Sequence, residues 1–85
     1  MDDVKLLTAS TNYAVVQLPQ RRFPGVVFQG DSLHILIRDL GRVANEIDPF
    51  EKAEALADVI EELRVIQRHY EAVLKREGIE RPYQD

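Results

Sequence analysis

The chain has no cysteine among its 85 residues, so it lacks both the disulfide staples of small secreted domains and the thiolate ligands of structural zinc. No apolar run approaches the ~20 residues needed to cross a bilayer. The start, Met1-Asp2-Asp3-Val4-Lys5, is acidic and departs from the basic-then-apolar plan of a secretory signal. These absences set the expectation of a cytoplasmic protein with no membrane segment. An excess of positive charge is missing too: 11 basic against 15 acidic side chains leave a net −4, which argues against a protein that wraps a nucleic-acid duplex. A phosphate-cradling loop is also lacking, because Gly25 and Gly30 are isolated and no Lys-Ser or Lys-Thr pair follows them. The two histidines, His34 and His69, fall in different helical segments. With only scattered carboxylates around them, neither has the three or four converging ligands a metal requires. No metal, no cofactor and no self-contained catalytic group is therefore expected, and Asp31, Ser32 and His34 sit too close in sequence to form a nucleophile triad.

What is present is a globular composition, 45% apolar and 31% charged, on a chain long enough for one core. A compact folded chain of this mass exposes roughly 5,000 Å². A single domain over 1–85 is expected. Residue type changes near position 30. Before it, β-branched residues, prolines and glycines point to three short antiparallel strands at about 4–8, 13–18 and 26–29. Ser10-Thr11-Asn12 forms the first turn, Pro19 ends the second strand, and Pro24-Gly25 precedes the third. On the second strand Ala14, Val16 and Leu18 share a clean apolar face, whereas Tyr13, Val15 and Gln17 share a mixed one.

After position 30 the period becomes helical. Leu33, Leu36, Ile37, Leu40, Val43, Ala44 and Ile47 fall within little more than 100° of arc, giving an amphipathic helix over about 32–46 with a cap at Gly30-Asp31-Ser32. Ile35 lies off that stripe. A second helix, about 49–77, starts with Asp48 as cap, Pro49 at its first position and Glu51 three residues after the cap. It ends with Lys75 and Arg76 in the last turn, Gly78 as terminator and Pro82 beyond. The fold class is α+β: a small antiparallel sheet followed by two helices.

The second helix would be about 42 Å long, whereas a compact domain of this size is only about 24–30 Å across. Leu56, Leu63 and Tyr70 recur every seven residues, as do Val59, Ile66 and Val73, with Ile60 and Leu74 widening the stripe. One reading places the whole stripe on this chain's own sheet and first helix. Another has the end carrying Ile66, Tyr70, Val73 and Leu74 overhang the domain and pair with a second copy in a homodimer.

Two further surfaces attract attention. Arg21 and Arg22, with Gln29, Gly30, Asp31 and Ser32, form a candidate anion site if the loop and the helix start converge, since free helix amides and guanidinium groups both favour negative charge. Structurally, the same residues read as a cap, a turn fixed by Pro24 and two solvated arginines. Glu54, Asp58, Glu61 and Glu62 form an acidic surface, read either as a solvated face or as a contact for a basic protein partner. The charge is unevenly placed. Residues 1–47 hold five basic and five acidic side chains and 48–85 hold six and ten, so the second half carries the whole −4.

The segment Arg22-Phe23-Pro24-Gly25, then Gln29-Gly30-Asp31-Ser32-Leu33, with Tyr13-Ala14-Val15-Val16-Gln17-Leu18-Pro19 before it and Glu77-Gly78-Ile79-Glu80-Arg81-Pro82-Tyr83 at the end, resembles a group of short bacterial proteins of unknown function. The resemblance implies a bacterial source and a small stand-alone protein, and attaches no activity to any residue. The sequence thus leads to a small non-catalytic interaction or regulatory module that self-associates through its long helix. A binder of an anionic small molecule, or a small enzyme subunit acting at the Arg21/Arg22 loop and first helix start, is the alternative.

Overall fold

Three strands and two helices follow one another in a computed structural model that describes residues 3–9 and 12–84. They are β1 (Lys5–Leu6), β2 (Val15–Gln17), β3 (Gly25–Val26), α1 (Gly30–Asn45) and α2 (Pro49–Arg76). The sheet is an antiparallel meander in the order β1-β2-β3, with Lys5 opposite Gln17, Leu6 opposite Val16, Val15 opposite Val26 and Val16 opposite Gly25. The α+β architecture is the one its residue pattern implies.

The strands are shorter than the sequence pattern implies, for local reasons. The Val15 amide donates to the Thr8 hydroxyl at 3.0 Å, a side chain standing in for a ladder partner. Tyr13 turns into the left-handed region at φ 60, where an extended strand cannot continue. Gly25, expected before the third strand, is instead its first residue. Of the expected turn, Ser10 and Thr11 lie outside the described residues.

The core forms between this sheet and the C-terminal half of α2. Leu7, Val15, Tyr70, Val73 and Leu74 are buried together, with Val26, Ile79 and Tyr83 packed around them. Val15 and Leu74 have no exposed surface at all. The strand face that meets α2 is therefore the mixed one carrying Val15; on the clean face Ala14 and Val16 are buried outside that cluster and Leu18 is exposed. Two long-range hydrogen bonds fasten the layers: the Tyr70 hydroxyl donates to the Pro24 carbonyl at 2.7 Å, and Arg76 Nη2 donates to the Leu7 carbonyl at 2.7 Å.

This packing corrects the expectation that Ile66, Tyr70, Val73 and Leu74 face a second chain. Tyr70, Val73 and Leu74 are covered by their own sheet, and Ile66 is half-buried. The part of α2 that extends past the sheet is its first half, alongside α1. Helix ends explain how both helices are placed. Asp48 Oδ1 accepts from the amides of Phe50 and Glu51 at 2.9 and 3.3 Å, while Glu46 Oε1 accepts from those of Ile47 and Asp48 at 3.1 and 3.2 Å. The turn between helices is thus held from both sides, with Glu46 filling the reciprocal role expected of Glu51. At the other end Gly78, at φ 70, allows its amide to reach Lys75 and the Ile79 amide to reach Leu74, at 3.2 and 2.8 Å. That pair of bonds is a Schellman ending, and Ile79 folds back onto the core beside Leu74.

α1 starts two residues earlier than its residue pattern suggests. Gln29 holds the cap position without a side-chain bond, so Asp31 lies inside the first turn, where its carboxylate accepts from the Ser32 amide at 2.8 Å. The three-residue turn sends α2 back antiparallel to α1. The molecule measures 51 × 28 × 20 Å with a radius of gyration of 15.7 Å, against about 12 Å for a compact chain of this length.

Candidate functional site

Where α1 leaves the sheet and α2 returns to it, the two helices and the β1–β2 turn enclose a cleft of about 650 Å³. Its apolar walls are Tyr13, Phe28, Ile35, Leu36, Leu63, Val65 and Ile66, and Asn12, Ser32, Glu62 and His69 bring polar atoms to it. The Tyr13 and Phe28 rings meet edge to face with centroids 5.2 Å apart, a preferred aromatic arrangement. Tyr13 reaches that position from a left-handed backbone that a bulky residue adopts at a cost of about 1–2 kcal/mol, so the ring contact and the turn are coupled. A second, shallower depression of about 370 Å³ shares Phe28, Leu63 and Ile66 with the cleft and continues past Tyr70 to Pro82 and Tyr83.

The residues of the anion site considered from sequence fall on two separate segments. Arg21 and Arg22 are exposed on the loop before β3, whereas Gly30, Asp31 and Ser32 open α1 after it. The Arg22 guanidinium lies over the Phe23 ring, 5.0 Å from its centroid, and Gln17 Nε2 donates to the Arg21 carbonyl at 2.6 Å. The Asp31 carboxylate occupies a free helix amide itself, as its chemistry implies. Of Arg21, Arg22, Gln29, Gly30, Asp31 and Ser32, only Ser32 lines the cleft. Among the described residues no group of three or more His, Asp or Glu side chains is arranged to hold a metal ion.

On the acidic surface, Glu54, Asp58, Glu61 and Glu62 are all exposed on α2. Glu61 accepts from Arg68 Nη2 at 2.7 Å; that hydrogen bond and charge, with a smaller contribution from Arg64, hold its carboxyl below the usual range. Glu62 turns toward the cleft. Beneath the sheet end, burial pushes the Tyr70 phenol above its ordinary value. Burial does the same to Tyr83, reinforced by the nearby Glu71 carboxylate. The Tyr83 hydroxyl is enclosed without a well-formed hydrogen bond.

Sequence reasoning missed the cleft. Tyr13 and Phe28 were assigned to strands, and the turn that brings their rings together has no strong local signature. His69, considered from sequence only as a metal ligand and set aside, does line it. Ile35 was the available signal: an isoleucine off the main stripe of an amphipathic helix needs a second apolar neighbour.

The fold and cleft define a small α+β domain with a protruding helical hairpin. The chain belongs to a family of unknown function, DUF6959, whose model matches residues 1–83. No curated protein and no solved structure matches it.

Proposed function

We propose that this protein is a small non-catalytic interaction module that works as a self-associated unit, with its helical hairpin as the contact surface. The observation that carries this reading is the distribution of exposed apolar side chains. Leu33, Ile37, Leu40, Leu56, Ile60 and Leu63 are all at least 38% exposed, on helices whose mutual contact buries only Val43 and Val59. The accessible surface of 6666 Å² exceeds that of a compact chain of this mass by roughly 1,500 Å². That excess reflects the elongated shape, 51 × 28 × 20 Å, and the six exposed Leu and Ile side chains lie on the part that protrudes, whereas soluble monomers rarely cluster exposed apolar side chains in this way.

The acidic residues Glu54, Asp58 and Glu61 lie on other sides of α2 from Leu56, Ile60 and Leu63. Self-association through the apolar side leaves them outward, as a surface for a basic protein partner. The absence of cysteine and the resemblance to short bacterial proteins support a bacterial, cytoplasmic setting. Sedimentation velocity at micromolar concentration tests the reading: a species of twice the 9.8 kDa chain mass is expected, and a strictly monomeric one refutes self-association. Charge reversal at Glu54, Asp58 and Glu61 that left capture of basic partners unchanged would remove the acidic surface from it.

A further inference from the structure

Helical geometry narrows the contact to one side of the hairpin. On α1, the residues with least exposure are Ser32, Leu36, Asp39 and Val43, which share one face at 100° per residue and mark the direction of α2. The apolar stripe is centred elsewhere: Leu33, Ile37, Leu40 and Ala44 extend it so that its middle lies about 70° from the contact direction. On α2, Ala55, Val59 and Ile66 mark the direction of α1. Leu56, Ile60 and Leu63 are displaced from it by about 90° in the same rotational sense along the chain. Because the helices run antiparallel, similar rotations of that sense bring both displaced stripes to the same side of the hairpin. That side is continuous, apolar and uncovered.

We infer that this face docks against the same face of a second copy, the two hairpins forming a two-fold four-helix arrangement. The inference rests on the self-association proposed above and specifies its geometry. Three observations select a second copy. First, the six Leu and Ile side chains of this side are each 38–60% exposed, on a chain whose total area exceeds a compact monomer's by roughly 1,500 Å², against the about 800 Å² that a standard interface takes from each partner. Second, no charged residue falls within the α1 stripe between the directions of Leu36 and Ile37, and on α2 only Lys52, near the hairpin turn, borders the corresponding sector. Two identical stripes therefore meet without opposing like charges, as a self-complementary interface must. Third, the surface is two helices wide and about 17 Å long from Leu33 to Ala44, the format in which helix pairs interdigitate. Ile35, Glu62, Val65 and His69, which line most of the cleft's helical wall, fall with Asp58 on the other side; Leu63 borders both the cleft and the docking side, so pairing covers one edge of the cleft and leaves the rest open to solvent.

Light scattering on the full chain, with far-UV circular dichroism alongside, tests both levels. The wild type is expected to give a dimer mass. Ile37→Glu and Ile60→Glu each place an unpaired charge in the interface, and a rise of about a hundredfold or more in the dimer Kd is expected with helicity retained. Val65→Glu and Ile35→Glu, on the opposite side, should leave the mass unchanged. A wild type that stays monomeric overturns this inference together with self-association. A dimer that resists Ile37→Glu and Ile60→Glu but dissociates with Val65→Glu leaves self-association standing and overturns this face. The chain's lack of cysteine provides a readout that does not depend on tolerating a buried charge. Ile37→Cys, Leu40→Cys or Ile60→Cys should form disulfide-linked dimers under mild oxidation where Val65→Cys does not, and the reverse pattern contradicts the inference.

Discussion

The two ends of α2 share one helix and differ in what covers them. Residues 66–79 lie on the sheet, where Tyr70, Val73 and Leu74 close a core with Leu7 and Val15, and Tyr70 and Arg76 tie the helix to backbone carbonyls of the strand segments. Residues 49–61 lie against α1, Glu62, Leu63 and Val65 share the cleft with Tyr13 and Phe28, and Val59 is the one buried side chain in this half of the helix. The sheet end thus satisfies both its apolar and its polar groups within one chain. The hairpin end satisfies its polar groups through the Asp48 and Glu46 caps, yet leaves an apolar side uncovered. Good local signals build a helix; they do not guarantee that one chain can bury it.

The sharpest way to break this contrast is to truncate one leucine at each end. Leu74→Ala should cost about 2–5 kcal/mol in urea unfolding, the range for a fully buried leucine in a packed core. Leu40→Ala, measured under dilute monomeric conditions, should cost less than about 1 kcal/mol because the side chain is already 40% exposed. Comparable losses at both sites would abolish the distinction. Tyr70→Phe comes next: it leaves the buried Pro24 carbonyl without its donor, and about 1–3 kcal/mol should be lost in the same assay. At the hairpin turn, Asp48→Ala removes the acceptor for two amides and should cost about 1 kcal/mol. Amide exchange should show that loss first at residues 50–53.

The smallest effect concerns pH. Tyr70 and Tyr83 both titrate above the ordinary 10.0 in the folded chain, since burial disfavours the phenolate there more than in the unfolded chain. Their contribution is therefore fully present below about pH 10 and is lost as pH rises through the ordinary and then the folded value. Alkaline titration followed by phenolate absorbance should show late ionisation coinciding with loss of the sheet-end core, whereas Tyr83→Phe should unfold at a higher pH. Early ionisation of both phenols would show that the sheet end is less closed than described.

How much of this was legible in the residues depends on whether a feature is local. The α2 ends were, because Asp48-Pro49 and Gly78 act within a few residues, and the helix observed differs from the one expected by a single residue at its end. The strand order was legible from the β-branched runs between proline and glycine. The partner of each apolar face was not. Periodicity gives Leu56, Val59, Leu63, Ile66, Tyr70 and Val73 one stripe, but whether the sheet sits at its beginning or its end depends on chain return, which no heptad encodes. The assignment of Tyr70, Val73 and Leu74 to a second chain failed for that reason, and the overhang proved to be the opposite half of the helix. The anion site depends on more than local signals: Arg21 and Arg22 precede β3 and Gly30 to Ser32 open α1 after it, and whether loop and helix start converge is set by how the chain turns between them. The cleft stayed hidden because Tyr13 and Phe28 come from separate connections.

The central claim is that the sheet end is complete in one chain whereas the hairpin is completed by a second copy. Amide hydrogen exchange at several protein concentrations spanning the dimer's dissociation tests it most directly. Amides of residues 33–44 and 53–63 should gain protection as concentration rises, while those of 70–79 and of β2 keep theirs throughout. Hairpin amides whose protection does not change with concentration in a chain that remains monomeric would contradict it.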